Sequence, residues 1–414
     1  MHVRKNLGAW MAKTLIQAAL IGTGWMHTGY AGEPGGEKPL NAFRALTDPV
    51  FLHSPAAWVD SVMATLTPEQ RIAQMIMVAA YSNQNPDNEV MVEKLIRENG
   101  IGGVVFFQGT PYRQAVLTNR YQAASRVPLL VAMDAEWGPS MRLDSTVRYP
   151  RQMMLGAIDD DRMLFDMGGQ IGEQLKRLGV HVNFAPVVDI NVNPRNPVIN
   201  SRSFGDNREN VTRKALFYMI GMENKGILTV AKHFPGHGDT QTDSHEDLPL
   251  LPQSRERLDS IELYPFREMI AKGVSGILAS HLQLPAIDPR NKMPASLSPR
   301  VLDTLLRNEM GFKGLIFTDA MNMKGITNFF KPVEAGEMAV LAGNDVIVMP
   351  GEVPELIGHI SKLIKRGRIT QEEIDLRCRR ILSAKYYAGL NRFQPVALNH
   401  LYNDLNKPEY RQLQ

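Results

Sequence analysis

Residues 231–247 hold the densest group of side chains in this chain that could do acid–base chemistry. Three histidines, His233, His237 and His245, lie there among glycines, a proline and several carboxylates. Imidazole is the side chain best suited to hold or release a proton near neutral pH. Asp243 stands two residues before His245, and a carboxylate so placed could orient and charge the imidazole for general acid–base catalysis. The segment therefore predicts a functional site.

The same segment could instead bind a metal ion. His233, His237 and Asp239 are residue types that ligate zinc, and they define the alternative of a metal-dependent hydrolase. Their spacing differs from the HExxH zinc motif, and no cysteine joins them. We therefore expect neither a metal ion nor another cofactor.

The elements that hold this segment can be predicted from the rest of the chain. After residue 60, short apolar runs alternate with helical patterns, which is typical of a parallel sheet with helices packed outside it. A barrel and an open, doubly wound sheet both fit this alternation. The predicted strands cover residues 75–78, 103–107, 128–133, 180–184, 228–231, 276–279, 314–317 and 345–349.

Charged and imidazole side chains follow five of these predicted strands at their C-terminal ends. They are Asp134, Asp189, Lys232 with His233, His281, and Asp319. In a barrel of parallel strands, these ends open at one rim, where the active sites of such barrels lie. A single aspartate there could merely cap the next helix. Five strands with such residues indicate a site.

Several motifs, in this order, resemble glycoside hydrolase family 3 in its β-N-acetylglucosaminidase branch. The segment 232–240 (KHFPGHGDT), followed by Asp243-Ser244-His245, is similar to the signature of that family. Further similar blocks are 183–189 (NFAPVVD), 202–206 (RSFGD), 317–321 (FTDAM) and 342–350 (AGNDVIVMP). The similarity extends over most of the chain after about residue 55. It implies an α/β fold, a (β/α)8 TIM-type barrel that forms a single catalytic domain.

The resemblance also implies roles for individual residues. Most glycosidases need two groups that flank the anomeric carbon. Asp319 is similar to the family's nucleophile, and His245, oriented by Asp243, is similar to its acid/base. The residues that resemble the family's sugar-binding groups are Asp134, Arg142, Arg202, Lys232 and His233.

This chain departs from the family pattern directly after Asp134. The family has Glu-Gly-Gly-Arg where residues 136–139 read EWGP, so Trp137 replaces a glycine. Its ring could be a platform on which a sugar stacks, or it could simply pack. We expect His181 and His281 to be supporting groups in the interior.

The function implied by the resemblance is that of a retaining exo-β-N-acetylglucosaminidase. Such an enzyme would remove terminal non-reducing N-acetylglucosamine from peptidoglycan fragments through a covalent glycosyl-aspartate intermediate. A β-glucosidase and an N-acetylglucosamine phosphorylase of the same family are alternatives. A glycan-binding barrel without catalytic activity is an alternative from another class.

Composition limits the other partners. The balance of 46 basic and 43 acidic residues gives no bias toward polyanions, so we do not expect nucleic acid as a partner. The single cysteine, Cys378, excludes a disulfide within the chain. It lies in an amphipathic helical pattern, and we expect a buried, inert thiol there.

The N-terminal residues resemble a secretory signal, with basic residues before a short apolar run. We expect a signal peptide over 1–31, a linker over 32–54, the glycoside hydrolase domain over 55–400 and a C-terminal tail over 401–414. The expected location is periplasmic or secreted, with the cytoplasm as the alternative. No later run is apolar enough to span a bilayer, so we expect no stable membrane anchor.

Overall fold

The structure is a computed structural model that describes residues 48–83, 86–243 and 246–413. Its centre is a sheet of eight strands, and all the strand pairs are parallel. The predicted signal peptide, 1–31, lies outside the described residues. The strands are β1 (Ile76–Ser82), β2 (Gly103–Gly109), β3 (Leu130–Met133), β4 (Val182–Asn183), β5 (Leu228–Phe234), β6 (Gly276–Ala279), β7 (Leu315–Thr318) and β8 (Ile347–Val348).

The sheet closes into a barrel because its last strand returns to its first. Each strand from β1 to β7 pairs with the next one in chain order, and β8 pairs with β1 through Ile76 and Ile347. A bridge between Phe317 and Val346 joins β7 to β8. The predicted (β/α)8 barrel is confirmed, and the alternative of an open sheet is wrong because both sheet edges find a partner.

The strands are apolar runs because helices cover them outside and side chains fill them inside. Every residue of β3, β6 and β7 is buried, as expected for a parallel sheet. Phe184 meets Phe317 edge to face inside the barrel, with ring centroids 5.4 Å apart. Gly276 leaves room for the Phe317 ring, since a Cβ there would lie 2.9 Å from its Cε2 atom.

Helices surround the barrel, and no helix in the described ranges is long and apolar enough to cross a membrane. Two short π-helices, Leu95–Asn99 and Arg300–Glu309, belong to this layer. The α-helices are α1 (Ala56–Thr65), α2 (Pro68–Ala73), α3 (Pro86–Lys94), α4 (Pro111–Ala124), α5 (Gln152–Gly156), α6 (Asp161–Arg177), α7 (Arg208–Glu223), α8 (Arg255–Ser260), α9 (Tyr264–Ala271), α10 (Lys324–Thr327), α11 (Pro332–Ala342), α12 (Val353–Lys365), α13 (Gln371–Tyr387) and α14 (Leu401–Leu405).

Helices from the beginning and the end of the barrel pack against each other. Met63 of α1 lies in an apolar cluster with Cys378 and Leu382 of α13. Arg71 of α2 bonds Asp375 of α13 at 2.6 Å. We call this packing of α1 and α2 on α13 the terminal clasp. Cys378 is buried, as expected, and burial raises the pKa of its thiol to about 12, so the thiol stays protonated.

The segment 401–414, expected as a tail, contains α14 and a 3₁₀ helix, Pro408–Leu413. Both contact α6. Gln174 donates to the carbonyl oxygen of Leu405 at 2.8 Å, and Arg177 pairs with Asp404 at 2.8 Å. The helical layer of the barrel thus continues past residue 400.

Lys385 of α13 is a buried amine without a carboxylate partner among the described residues. Its side chain is fully buried, and its Nζ donates to the Gln74 amide oxygen at 2.6 Å. No carboxylate of the described residues pairs with it. Burial favours the neutral amine and lowers the pKa of Lys385 from 10.5 to about 7.

We expect Lys385 to make the free energy of unfolding depend on pH. Between pH 7 and 10.5 the unfolded chain holds this proton and the native state does not, so stability rises with pH by about 1.4 kcal/mol per unit. Urea unfolding at several pH values in this window should show that steeper rise in the wild type than in K385M. Equal slopes would contradict the prediction. The control is K214M, because Lys214 is equally buried but pairs with Asp161 at 2.7 Å. K214M should have a lower free energy of unfolding, with the same dependence on pH as the wild type.

Candidate active site

The rim at the C-terminal ends of the strands collects the polar side chains that the sequence indicated. Asp134 follows β3, Lys232 and His233 lie near the C-terminal end of β5, and Asp319 follows β7. Hydrogen bonds connect all five predicted sugar-binding residues into one network. A single polar cluster therefore occupies one side of the barrel mouth.

Asp134 is held between two cations. Its Oδ1 accepts from Lys232 Nζ at 2.7 Å, and its Oδ2 accepts from Arg142 Nη2 at 2.7 Å. Burial by itself would raise the pKa of Asp134, but Lys232 and Arg142 outweigh burial and lower it to about 2. Asp134 is therefore ionised and accepts hydrogen bonds only.

Glu136, which was not among the site residues predicted from the sequence, lies at the centre of the network. Its side chain is 0% exposed. Arg202 donates to it from Nε at 2.9 Å and from Nη2 at 2.7 Å, and Lys232 Nζ lies 2.8 Å from Oε1. These cations outweigh burial and lower the pKa of Glu136. The available signal was its position two residues after Asp134 in the same strand-end loop.

His233 links this network to Asp189 on the loop after β4. Its Nε2 lies 3.1 Å from Arg202 Nη2, and its Nδ1 lies 2.7 Å from Asp189 Oδ2. A guanidinium only donates, so Nε2 accepts and Nδ1 donates to Asp189. Asp189 also accepts from the N–H of His237 at 2.7 Å. Burial would raise the pKa of Asp189, but the two histidines outweigh it and lower the pKa.

The loop after β5 is folded tightly against the loop after β4. Asn196 donates to the carbonyl oxygen of His237 at 2.7 Å, and the His237 ring bonds Thr240 at 2.7 Å. Burial, with His233 nearby, lowers the pKa of His237 to about 4, so its ring is neutral at neutral pH. Gly238 permits the contact, since a Cβ there would lie 1.8 Å from a backbone oxygen.

Asp243 is partly buried further along this loop. Its carbonyl oxygen accepts from the N–H groups of Glu246 and Asp247, at 2.9 and 3.1 Å. His245 lies outside the described residues. The pairing of Asp243 with His245 therefore stays a prediction.

Asp319 is a partly exposed carboxylate on the opposite side of the mouth. Its Oδ1 accepts from the N–H of Ala320 at 2.8 Å. Burial would raise its pKa, but the imidazoles of His281 and His233, that N–H and Lys232 outweigh burial and lower the pKa. An ionised carboxylate that faces the mouth could attack an electrophilic carbon.

His181 and His281, the two histidines expected to be supporting groups, are enclosed. His281 donates from Nε2 to the carbonyl oxygen of Ala320 at 3.1 Å, so it supports the backbone beside Asp319. At the other end of the barrel, His181 Nδ1 accepts from the N–H of Val131 at 3.0 Å, and burial lowers the pKa of His181 to about 4. Both are supporting groups, in agreement with the sequence-based expectation.

The residues of the metal alternative are engaged elsewhere. Asp239 accepts from Gln253 at 2.7 Å, and the His237 ring bonds a threonine. Across residues 48–83, 86–243 and 246–413, no three His, Cys, Asp or Glu side chains are grouped as a metal site.

Trp137 lies partly exposed beside the network. The Arg151 guanidinium covers its ring at 4.7 Å from the centroid, and Arg151 also bonds Ser201 at 3.0 Å. Packing against Arg151 therefore accounts for one face of the ring.

The chain is similar to known glycoside hydrolases in sequence. Residues 67–384 match the profile of the glycosyl hydrolase family 3 N-terminal domain. The chain is 33% identical over 355 residues to beta-hexosaminidase A of Pseudoalteromonas piscicida, which covers 78% of this chain and 59% of that protein. It thus spans less than two thirds of the length of that relative.

Two solved structures share the architecture. A family 3 β-N-acetylglucosaminidase from Paenibacillus sp. str. FPU-7 superposes with a TM-score of 0.78 and 36% identity, over 84% of this chain and 68% of that one. The beta-glucoside phosphorylase BglX superposes with a TM-score of 0.83 and 25% identity, over 89% of this chain and 68% of that one.

Proposed function

Because this chain belongs to glycosyl hydrolase family 3, we propose that it is a retaining exo-β-N-acetylglucosaminidase. The observation that carries the proposal is the placement of two ionised carboxylates across the barrel mouth. Asp319 follows β7 and Asp134 follows β3, and these strands are four positions apart in a ring of eight. One sugar ring between them would turn its anomeric carbon to Asp319 and its far hydroxyls to Asp134.

The proposed mechanism has two displacements. Asp319 attacks the anomeric carbon and forms a glycosyl ester, while His245 gives its proton to the departing oxygen. The neutral imidazole then takes a proton from water, and the resulting hydroxide displaces Asp319. Two inversions retain the configuration at the anomeric carbon. Asp243 is the carboxylate that would orient the imidazole and stabilise its charged form.

The proposed function also includes a source of the substrate and a cellular location. We propose peptidoglycan fragments as the source of the terminal N-acetylglucosamine, and the periplasm or the exterior of the cell as the location. The sequence motifs of the β-N-acetylglucosaminidase branch support the first, and the signal-like residues 1–31 support the second.

Turnover of aryl glycosides by the purified protein tests the proposal. We expect release from an aryl β-N-acetylglucosaminide, with free N-acetylglucosamine as product even when inorganic phosphate is present. No release at any pH would contradict the proposal. Faster turnover of the β-glucoside would favour a β-glucosidase, and activity that is lost on chelation and restored by zinc would favour a metal-dependent hydrolase.

A phosphorylase is the second candidate, because the chain superposes on the beta-glucoside phosphorylase BglX. Formation of N-acetylglucosamine 1-phosphate, in place of the free sugar, would support it. Sugar binding without turnover would favour a glycan-binding barrel.

The D134N variant is expected to bind sugar weakly. A hydrogen bond to a charged group contributes about 1.5–3 kcal/mol, so KM should rise roughly 10- to 100-fold while kcat falls less. Steady-state kinetics and inhibition by N-acetylglucosamine measure both effects. The control is D144N, since Asp144 is exposed further along the same loop and its loss should change neither. Unchanged affinity in D134N would remove Asp134 from the sugar-binding role.

A further inference from the structure

Glu136 takes two of the five hydrogen-bond donors of Arg202. A guanidinium has five N–H donors. Two of them go to Glu136, one faces His233 Nε2, and one reaches the carbonyl oxygen of Val198 at 3.2 Å. When the partners among the described residues are counted, Arg202 has a single N–H left for a ligand, on Nη1.

Lys232 is restricted in the same way. An ammonium has three donors. One goes to Asp134 Oδ1 at 2.7 Å and one to Glu136 Oε1 at 2.8 Å. Within the described part of the chain, one N–H of Lys232 remains available. Glu136 thus fixes the direction of the last free donor on each of two cations.

Glu136 also sets the charge of the network. Three cations, Arg142, Arg202 and Lys232, are balanced by three carboxylates, Asp134, Glu136 and Asp189, of which Asp189 joins through His233. Loss of the Glu136 charge would leave a net charge of +1. Such a site would attract small anions in competition with a neutral sugar.

We infer that Glu136 is a positioning residue for sugar binding, an assignment that rests on the proposed function. Its carboxylate is fully buried and lies behind the cations, so it acts through them. It holds Arg202 and Lys232 so that each presents one N–H to the sugar in a fixed direction. A neutral group of the same size cannot do this, because a glutamine offers one acceptor oxygen and turns an N–H₂ group toward the cations.

The E136Q variant tests the inference. We expect kcat/KM for the aryl N-acetylglucosaminide to fall about 100-fold, with a parallel loss in inhibition by N-acetylglucosamine. The matched control is E89Q, since Glu89 is also buried and also pairs with two arginines, Arg113 and Arg120, on the outer helices. E89Q should keep the wild-type kcat/KM even if its melting temperature falls.

Formate distinguishes positioning from packing. In E136A a small carboxylate can enter the space left behind, and we expect added formate to restore kcat/KM at least about tenfold, with no such gain in the wild type or in E89Q. A loss that formate leaves unchanged would assign the effect to packing and overturn the inference.

Two further outcomes are decisive. Wild-type kcat/KM in a folded E136Q would also overturn the positioning role. If E136Q does not fold, E136D is measured, because this variant keeps the charge but withdraws it by one methylene. Wild-type kcat/KM in E136D would then overturn the positioning role. A reduced kcat/KM together with weaker inhibition by N-acetylglucosamine would support it. Failure of the wild type itself to release N-acetylglucosamine would instead contradict the proposed function.

Discussion

The D319N variant should lose nearly all turnover, by roughly 10,000-fold or more, while the barrel stays folded. Its amide cannot form the glycosyl ester, although its oxygen can still accept from the N–H of Ala320. The interactions that lower the pKa of Asp319 keep the wild-type side chain ionised and ready to attack. Assays of kcat with an aryl N-acetylglucosaminide, together with thermal melting, measure both parts of the expectation.

The control for this variant is D144N. Asp144 is exposed on the loop after β3, so its loss should leave turnover close to that of the wild type. Trapping with a fluorinated glycosyl fluoride, followed by peptide mapping, should place the label on Asp319. A label on another residue, or substantial activity in D319N, would remove Asp319 from the nucleophile role.

The loss of rate in the H245A variant should depend on how much the leaving group needs a proton. A sugar alcohol needs a proton as it departs, whereas an activated phenolate needs little. General acid catalysis contributes about 100- to 10,000-fold, so a natural disaccharide should lose rate of that order. An activated aryl glycoside should lose less in the first step, and hydrolysis of the glycosyl ester should then limit turnover.

A series of aryl leaving groups measures this effect. The dependence of rate on leaving-group acidity should be steeper in H245A than in the wild type. D243N should show a milder form of the same change, because the imidazole stays but loses its orienting charge. An unchanged slope in H245A would mean that another residue, such as Glu246 or Asp239, carries the proton.

The sequence pattern predicted the strands well because they are buried on both faces, whereas their closure into a barrel was implied by the family resemblance. Such strands read as continuous apolar runs, and all eight fall within a few residues of their predicted positions. β5 continues beyond its predicted end to Phe234, because Lys232 and His233 are buried in the strand with carboxylate partners.

The candidate site was predictable only in part. Residues that stand directly at strand ends, such as Asp134 and Asp319, could be placed at one rim from the fold alone. Glu136 could not be assigned, because its partner Arg202 is 66 residues away in sequence and only tertiary structure brings them together. Asp189 could be placed at the rim, but its contact with His233, 44 residues away in sequence, could not be predicted.

The terminal clasp has a consequence for synthesis of the chain. Arg71 and Asp375 are 304 residues apart, so their contact must wait until Asp375 has left the ribosome. Contacts of such long range slow folding and prolong the exposure of incomplete states. A chain interrupted before β8 would leave β1 and β7 as unpaired edges, which are templates for pairing with other chains. Premature termination should therefore yield aggregates instead of a smaller, active barrel.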